Sequence, residues 1–202
     1  MGRIHSILQK YADPLGWLAA EGMVYRFSGS ALNTVATGAT SFATTSPTFL
    51  LNVAASAEVA VIPAEMRLFQ AGTVAGGAIT YLMEMDNAAR YTSGGTAMTV
   101  QNAKTTGPAL PSGVAMYSTV SSAIVATNAV GIQMDAALLG QDVSPAEGAV
   151  QTISWEPKAG LDFLVPNGTV GASWLVNTSA GVTGPTWHFN FKAAVVPLAW
   201  MT

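Results

Sequence analysis

Cysteine is absent from the 202 residues, and charge is scarce: Asp, Glu, Lys and Arg together make up 9% of the chain. The first absence removes disulfide scaffolds, thiolate metal sites and cysteine nucleophiles in one step. The second is unusual, because an ordinary soluble domain carries about 25% charged residues. Long apolar runs are missing too, although 50% of the residues are hydrophobic. None approaches the roughly 18 consecutive residues that span a bilayer; the nearest, Ala123 to Gly140, is broken by Thr127, Asn128, Gln133 and Asp135. A basic stripe is also lacking. The net charge is −3, and no Lys or Arg occurs from Thr105 to Pro157. Nucleic-acid binding draws on clustered cations that displace counterions from phosphate, so neither direct nucleic-acid contact nor a membrane partner is expected. At the N-terminus, Gln9, Lys10 and Asp13 interrupt any apolar leader segment, so no signal peptide is expected and a cytosolic site fits.

The residues needed for catalysis are thinly spread. Only His5 and His188 are available, short of the three or more ligands a zinc site takes. No Gly-x-Ser-x-Gly elbow or phosphate-cradling glycine loop occurs. Carboxylates are present at Glu84, Asp86, Asp135, Asp142, Glu147, Glu156 and Asp162. Glu84 and Asp86, two apart on one strand face, read as a solvated or inter-subunit pair at a sheet edge. The expectation is a protein that is not an enzyme, with no catalytic residues, no cofactor and no metal. Two modification patterns have bland readings. Met1 to Ser6 fits a short and common myristoylation pattern, and Asn167-Gly168-Thr169 and Asn177-Thr178-Ser179 fit glycosylation acceptors but read more simply as turn residues.

What is present divides the chain into three parts. In residues 1–22, Ile4, Ile7, Leu8, Tyr11, Leu15 and Leu18 recur at spacings of three and four, the helical period. Asp13 before Pro14 is an N-cap followed by an N1 proline, so two short helices are expected to meet there. This helical N-terminal arm serves either as a lid on its own domain or as a clasp on a neighbour. Residues 23–47 form an extended Ser/Thr/Ala-rich segment. Residues 48–202 read as one β-sandwich of jelly-roll type: roughly ten short strands separated by Gly, Pro and Asn.

The strand signals include Thr48–Val53, Glu58–Ile62, Met66–Ala71, Ala78–Met85, Thr96–Gln101, Val114–Val120, Ala123–Thr127, Val130–Ala136, Val150–Trp155, Asp162–Val165, Gly171–Asn177 and Thr186–Val196. The clearest alternation is Trp187-His188-Phe189-Asn190-Phe191-Lys192, which predicts Trp187, Phe189 and Phe191 in the core. Trp155 and Trp174 are assigned to the core as well. Candidate partner-contact residues are Ile4, Ile7, Leu8, Tyr11, Leu15, Trp17, Leu18 and Trp200, near the two chain ends.

A domain with so few charges leans on Ser, Thr, Asn, Gln, Gly and Ala to cover its surface, and that suits a surface buried against other protein. In its strand-rich, Ala/Gly/Thr-rich, charge-poor character, residues 48–200 resemble the decoration, or cement, proteins of tailed-bacteriophage heads that form jelly-roll trimers. The resemblance implies a structural virion protein at the capsid surface. It implies two partners, itself as a homotrimer and the major capsid protein whose shell it stabilises. Two other readings stand beside it: a trimeric receptor-binding or fibre-head domain recognising host glycan, and a jelly-roll main shell protein.

Overall fold

The computed structural model describes residues 13–29, 34–71, 78–118, 132–139, 151–157, 164–166, 169–181 and 183–201. Two antiparallel sheets pack face to face, making an all-β sandwich with one short helix. The first sheet holds, in spatial order, β10 (Thr152–Trp155), β4 (Val59–Gln70), β12 (Thr186–Pro197), β1 (Val24–Ser28) and β7 (Thr99–Asn102), with the two-residue β2 (Ala36–Thr37) against β12. The second runs β6 (Thr96–Ala97), β8 (Val114–Ser118), β3 (Phe49–Val53), β11 (Ala172–Ser179), β5 (Ile79–Asp86) and β9 (Ile132–Leu139). Helix α1 (Pro14–Ala20) leads into β1, and one 3₁₀ turn (Leu198–Trp200) follows β12.

Side chains on a strand alternate between faces, and the core is built from that rule. From the first sheet Tyr25, Phe27, Met66, Leu68, Trp187, Phe189 and Phe191 point inward. From the second come Phe49, Leu51, Tyr81, Met83, Trp174 and Val176. Aromatic rings meet at offset or edge-on angles: Phe49 lies 4.9 Å from Phe189 and from Phe191, and Trp174 meets Phe191 edge-on at 5.5 Å. Trp155, Trp174 and Trp187 are all buried, as expected, Trp187 on the inward side of its alternating strand.

Three expectations need revising. Residues 23–47 are not a separate extended segment: Val24–Ser28 is an interior strand of the first sheet, paired with β12 on one side and β7 on the other. Val24, Tyr25 and Phe27 are buried there, so the sandwich begins well before residue 48. The strands read at Glu58–Ile62 and Met66–Ala71 are one continuous strand, β4, which runs through Pro63. Its pairing with β12 slips where Lys192 faces Glu65 and Ala193 faces Pro63, leaving Ala64 unpaired. An irregular ladder is where a proline without an N–H is tolerated. Of the expected strand Asp162–Val165, Leu164 forms an isolated bridge with Val61, and residues 162 and 163 lie outside the described residues. The expected strand Ala123–Thr127 lies outside the described residues.

Candidate interaction surfaces

Helix α1 forms as the Asp13-Pro14 pair predicts: the Asp13 carboxylate accepts from the Gly16 N–H at 2.8 Å, with Pro14 at the helix start. It ends at Gly22, whose φ of +78° lies in the left-handed region. Gly22 N donates to Ala19 O and Met23 N to Leu18 O, the paired closure of a glycine-terminated helix. The last carbonyls are claimed from outside as well. Lys104 Nζ donates to Ala20 O at 2.9 Å, and Asn102 Nδ2 to Gly22 O at 2.7 Å. Seven residues are too few for a free helix to persist, so these ties and the packing beneath hold it.

That packing is on the chain's own sheet. Leu18, 6% exposed, sits among Val24, Ala60, Ile62, Ala194 and Val196 on the outer face of the first sheet, with Leu15, Trp17, Ala19, Met23 and Leu198 around it. Burying a leucine this fully contributes about 2 kcal/mol. Of the proposed partner contacts, Leu18 is therefore used within the chain: a side chain covered by its own sheet has almost no surface left for a neighbour. Leu15 and Trp17 join the same cluster as partly buried members. The Trp17 ring stacks on Trp200 at 5.9 Å and 25°, and Trp200 remains 52% exposed beside the exposed Met201. The structure thus brings Leu15, Trp17, Leu18 and Trp200 to one corner. Ile4, Ile7, Leu8 and Tyr11 lie outside the described residues.

A cleft of about 480 Å³ opens next to this corner, lined by Glu21, Glu58, Tyr25, Pro108, Pro111 and Pro197 among others. Tyr25 donates its hydroxyl hydrogen to Ala109 O at 3.2 Å, and burial raises its pKa. Among the described residues no histidine lines the cleft; its titratable lining is Tyr25 and the carboxylates Glu21 and Glu58, beside Ser56 and Ser112. Among the described residues no group of three His, Asp or Glu gathers as metal ligands would, and no helix is long and apolar enough to cross a membrane. His188 is exposed on the outer face of β12, opposite Phe69 of β4.

The carboxylate pair falls elsewhere than expected. β5 is not an edge strand; it lies between β11 and β9. Glu84 and Asp86 point to the outer face of the second sheet and are both buried. Asp86 is ion-paired with Arg90, whose Nε lies 2.6 Å from its carboxylate. Among the described residues Glu84 meets the amide of Asn177, 3.5 Å away, and the buried Asn177 Oδ1 finds no hydrogen-bond partner. Burial, and secondarily the neighbouring Asp86, push the Glu84 carboxyl above its ordinary pKa. Sequence spacing placed the two acids on one face but carried no sign that the face is covered.

The surface that sequence reasoning missed is β9. It pairs with β5 along one side, and its burial is slight along its whole length. Ile132 and Leu138 are each 73% exposed. Ala136 and Ala137, on opposite faces of the strand, are exposed too. Its legible signal was the unbroken run Ala136-Ala137-Leu138-Leu139 without a charge, Gly or Pro.

No family model matches the chain, and no curated protein matches it. Among solved structures it is similar to one titled "Structure of infectious bursal disease virus Gx strain", at 12% sequence identity over 88% of this chain, with a TM-score of 0.13. The chain spans 40% of the length of that one. A likeness this slight carries no argument about role.

Proposed function

We propose that the chain is a structural protein of a virus particle, a capsid decoration protein that binds the shell as a homo-oligomer and stabilises it. The observation that carries this reading is how the few charges are used. Lys192 and Arg67 both pair with Glu65, Arg67 also approaches Glu156, and Arg90 pairs with Asp86. Lys104 caps the helix. With these cations engaged within the chain, the exposed surface carries large apolar side chains at its rims, among them Phe42, Ile132, Leu138, Trp200 and Met201. Free subunits usually rely on exposed charge for solubility, and apolar rims of this kind suit protein contacts. A shell protein as partner accords with the lack of a basic stripe in the sequence. The direct test is mass spectrometry and surface antibody labelling of gradient-purified particles from infected cells. Recovery of the protein on the outside of intact particles is expected; its absence from them ends this reading.

A second reading rests on Trp200. A half-exposed indole stacked on Trp17 is the kind of platform that sugar rings stack against, and a receptor-binding head would use one. Trp187, the other candidate platform, is fully buried and unsuited to that task. A glycan array probed with the protein and with Trp200→Ala separates the readings. A specific ligand lost in the variant favours receptor binding, and no ligand favours decoration.

A further inference from the structure

Strand β9 combines three properties that interior sandwich strands do not share. It is exposed along most of its length, its outward Ala136 and Leu138 are apolar beside a single polar Gln133, and its one acid, Asp135, sits at the start of its regular part. Pairing with β5 slips between Met83 and Glu84, which face Asp135 and Gln133, so Met134 is the extra residue of a bulge. From Asp135 to Leu139 the ladder is regular. Natural edge strands are commonly blocked by Lys, Pro, bulges or inward charges. Here the bulge and Asp135 guard the first half only, and Ala136, Ala137, Leu138 and Leu139 are left open.

We infer that this edge is a self-association surface, taken by β9 of a second copy in antiparallel register across a two-fold axis through Ala137. The inference rests on the reading of the chain as an assembling subunit and names its self-contact.

Length selects the occupant. The other edges of the two described sheets are β10 and β7, four residues each, and β6, two residues. Only β9 matches β9, so the contact is between identical surfaces, as a closed two-fold dimer requires. Symmetry then selects the register. A two-fold axis perpendicular to the merged sheet passes through a residue that faces its own copy. On Asp135 that axis would set two carboxylates against each other, a destabilising like-charge pair. On Ala137 it aligns the whole regular ladder. Ala137 then faces Ala137 of the copy, Ala136 faces the copy's Leu138, and Asp135 faces its Leu139, leaving the two acids at opposite ends. The result joins two six-stranded sheets into one. It makes the unit of assembly a dimer in place of the trimer that the resemblance implies.

The test uses the full chain and exploits its lack of cysteine. Ala137→Cys is expected to yield a covalent dimer under mild oxidation or with a short bis-maleimide, while Thr96→Cys, on the opposite edge, is expected to stay uncrosslinked. In sedimentation at micromolar concentration, the unmodified protein is expected as a dimer or a multiple of one. Leu138→Lys is expected to run as a monomer with an unchanged far-ultraviolet circular dichroism spectrum. An oligomer that persists in Leu138→Lys, together with no cross-link at Ala137→Cys, overturns the β9 contact and leaves the assembly reading standing. A monomeric protein that neither cross-links nor occurs on particles overturns both.

Discussion

Two eight-residue strands flank β5, and their burial is the reverse of their chemistry. β11 reads Ala-Ser-Trp-Leu-Val-Asn-Thr-Ser and is buried at every position; β9 reads Ile-Gln-Met-Asp-Ala-Ala-Leu-Leu and is mostly exposed. Two of the polar residues of β11, Ser173 and Thr178, are accommodated by hydrogen bonds. Ser173 Oγ donates to Ala88 O at 2.7 Å and accepts from Arg90 N at 3.0 Å. Thr178 Oγ1 accepts from Trp187 Nε1 at 2.9 Å and lies 2.8 Å from Thr48 Oγ1. Buried polar groups partnered in this way cost little. On β9 only Met134 and Leu139 lean against the core, while Ile132 and Leu138 stay in solvent. Position in the sandwich, and not hydrophobicity, decides which of the two is inside.

Four measurements sharpen or break that contrast. The largest effect is expected at Trp174→Ala in β11. It removes a fully buried indole that touches Trp155 and Phe191, and urea unfolding should show a loss of about 3–5 kcal/mol. A loss under about 1 kcal/mol would mean that the centre of the sandwich is not its stability core. Next comes Leu18→Ala, expected to cost about 2–3 kcal/mol because a buried leucine leaves a cavity under the helix. If thermal melting were unmoved, the helix would be an ornament on the first sheet.

The third concerns Glu84, cross-strand from Leu175 of β11. Its pKa is raised by burial first and by Asp86 second. A carboxyl with a raised folded-state pKa binds its proton more tightly folded than unfolded. Its stabilising contribution is therefore full below the ordinary value of 4.5 and is lost as pH rises through the folded value. Glu84→Gln should flatten the fall in stability above pH 4.5 and be more stable than the parent at neutral pH. Parallel stability–pH curves for the two proteins would refute this. The smallest effect on stability is expected at Leu138→Lys, within about 0.5 kcal/mol, because the side chain is already in water. A larger loss would show that β9 is packed more firmly than its exposure implies.

The sequence made some of this legible and concealed the rest for identifiable reasons. The alternation from Trp187 to Lys192 predicted β12, its inward ring residues and its exposed histidine. Asp13 and Pro14 marked the helix start because capping is a local interaction. Alternation reports which face a residue takes, however, and not whether anything covers that face. Glu84 and Asp86 were placed on a common face yet assigned to a sheet edge, since their burial depends on strand order. β11 and β9 were both recognised as strands, and nothing in either marks which is central. Glu58–Ile62 and Met66–Ala71 read as two strands because the irregular pairing that carries β4 through Pro63 involves β12, far along the chain. At the candidate surfaces, Trp17 and Trp200 were singled out for lying near the chain ends. Their stacking needed β1 and β12 to pair, which no local pattern encodes.

That pairing has a mechanical consequence. Val24 at the start of β1 faces Ala194 near the end of β12, and Trp17 stacks on Trp200 just outside them. A pull applied between the two ends would act across this ladder and peel its hydrogen bonds open one after another, the weakest loading geometry for antiparallel strands. A load entering along the 12-residue β4 and β12 would strain many bonds at once. The corner at Trp17 and Trp200 is therefore the place where the sandwich would open first under load, and its long central pair the last to yield.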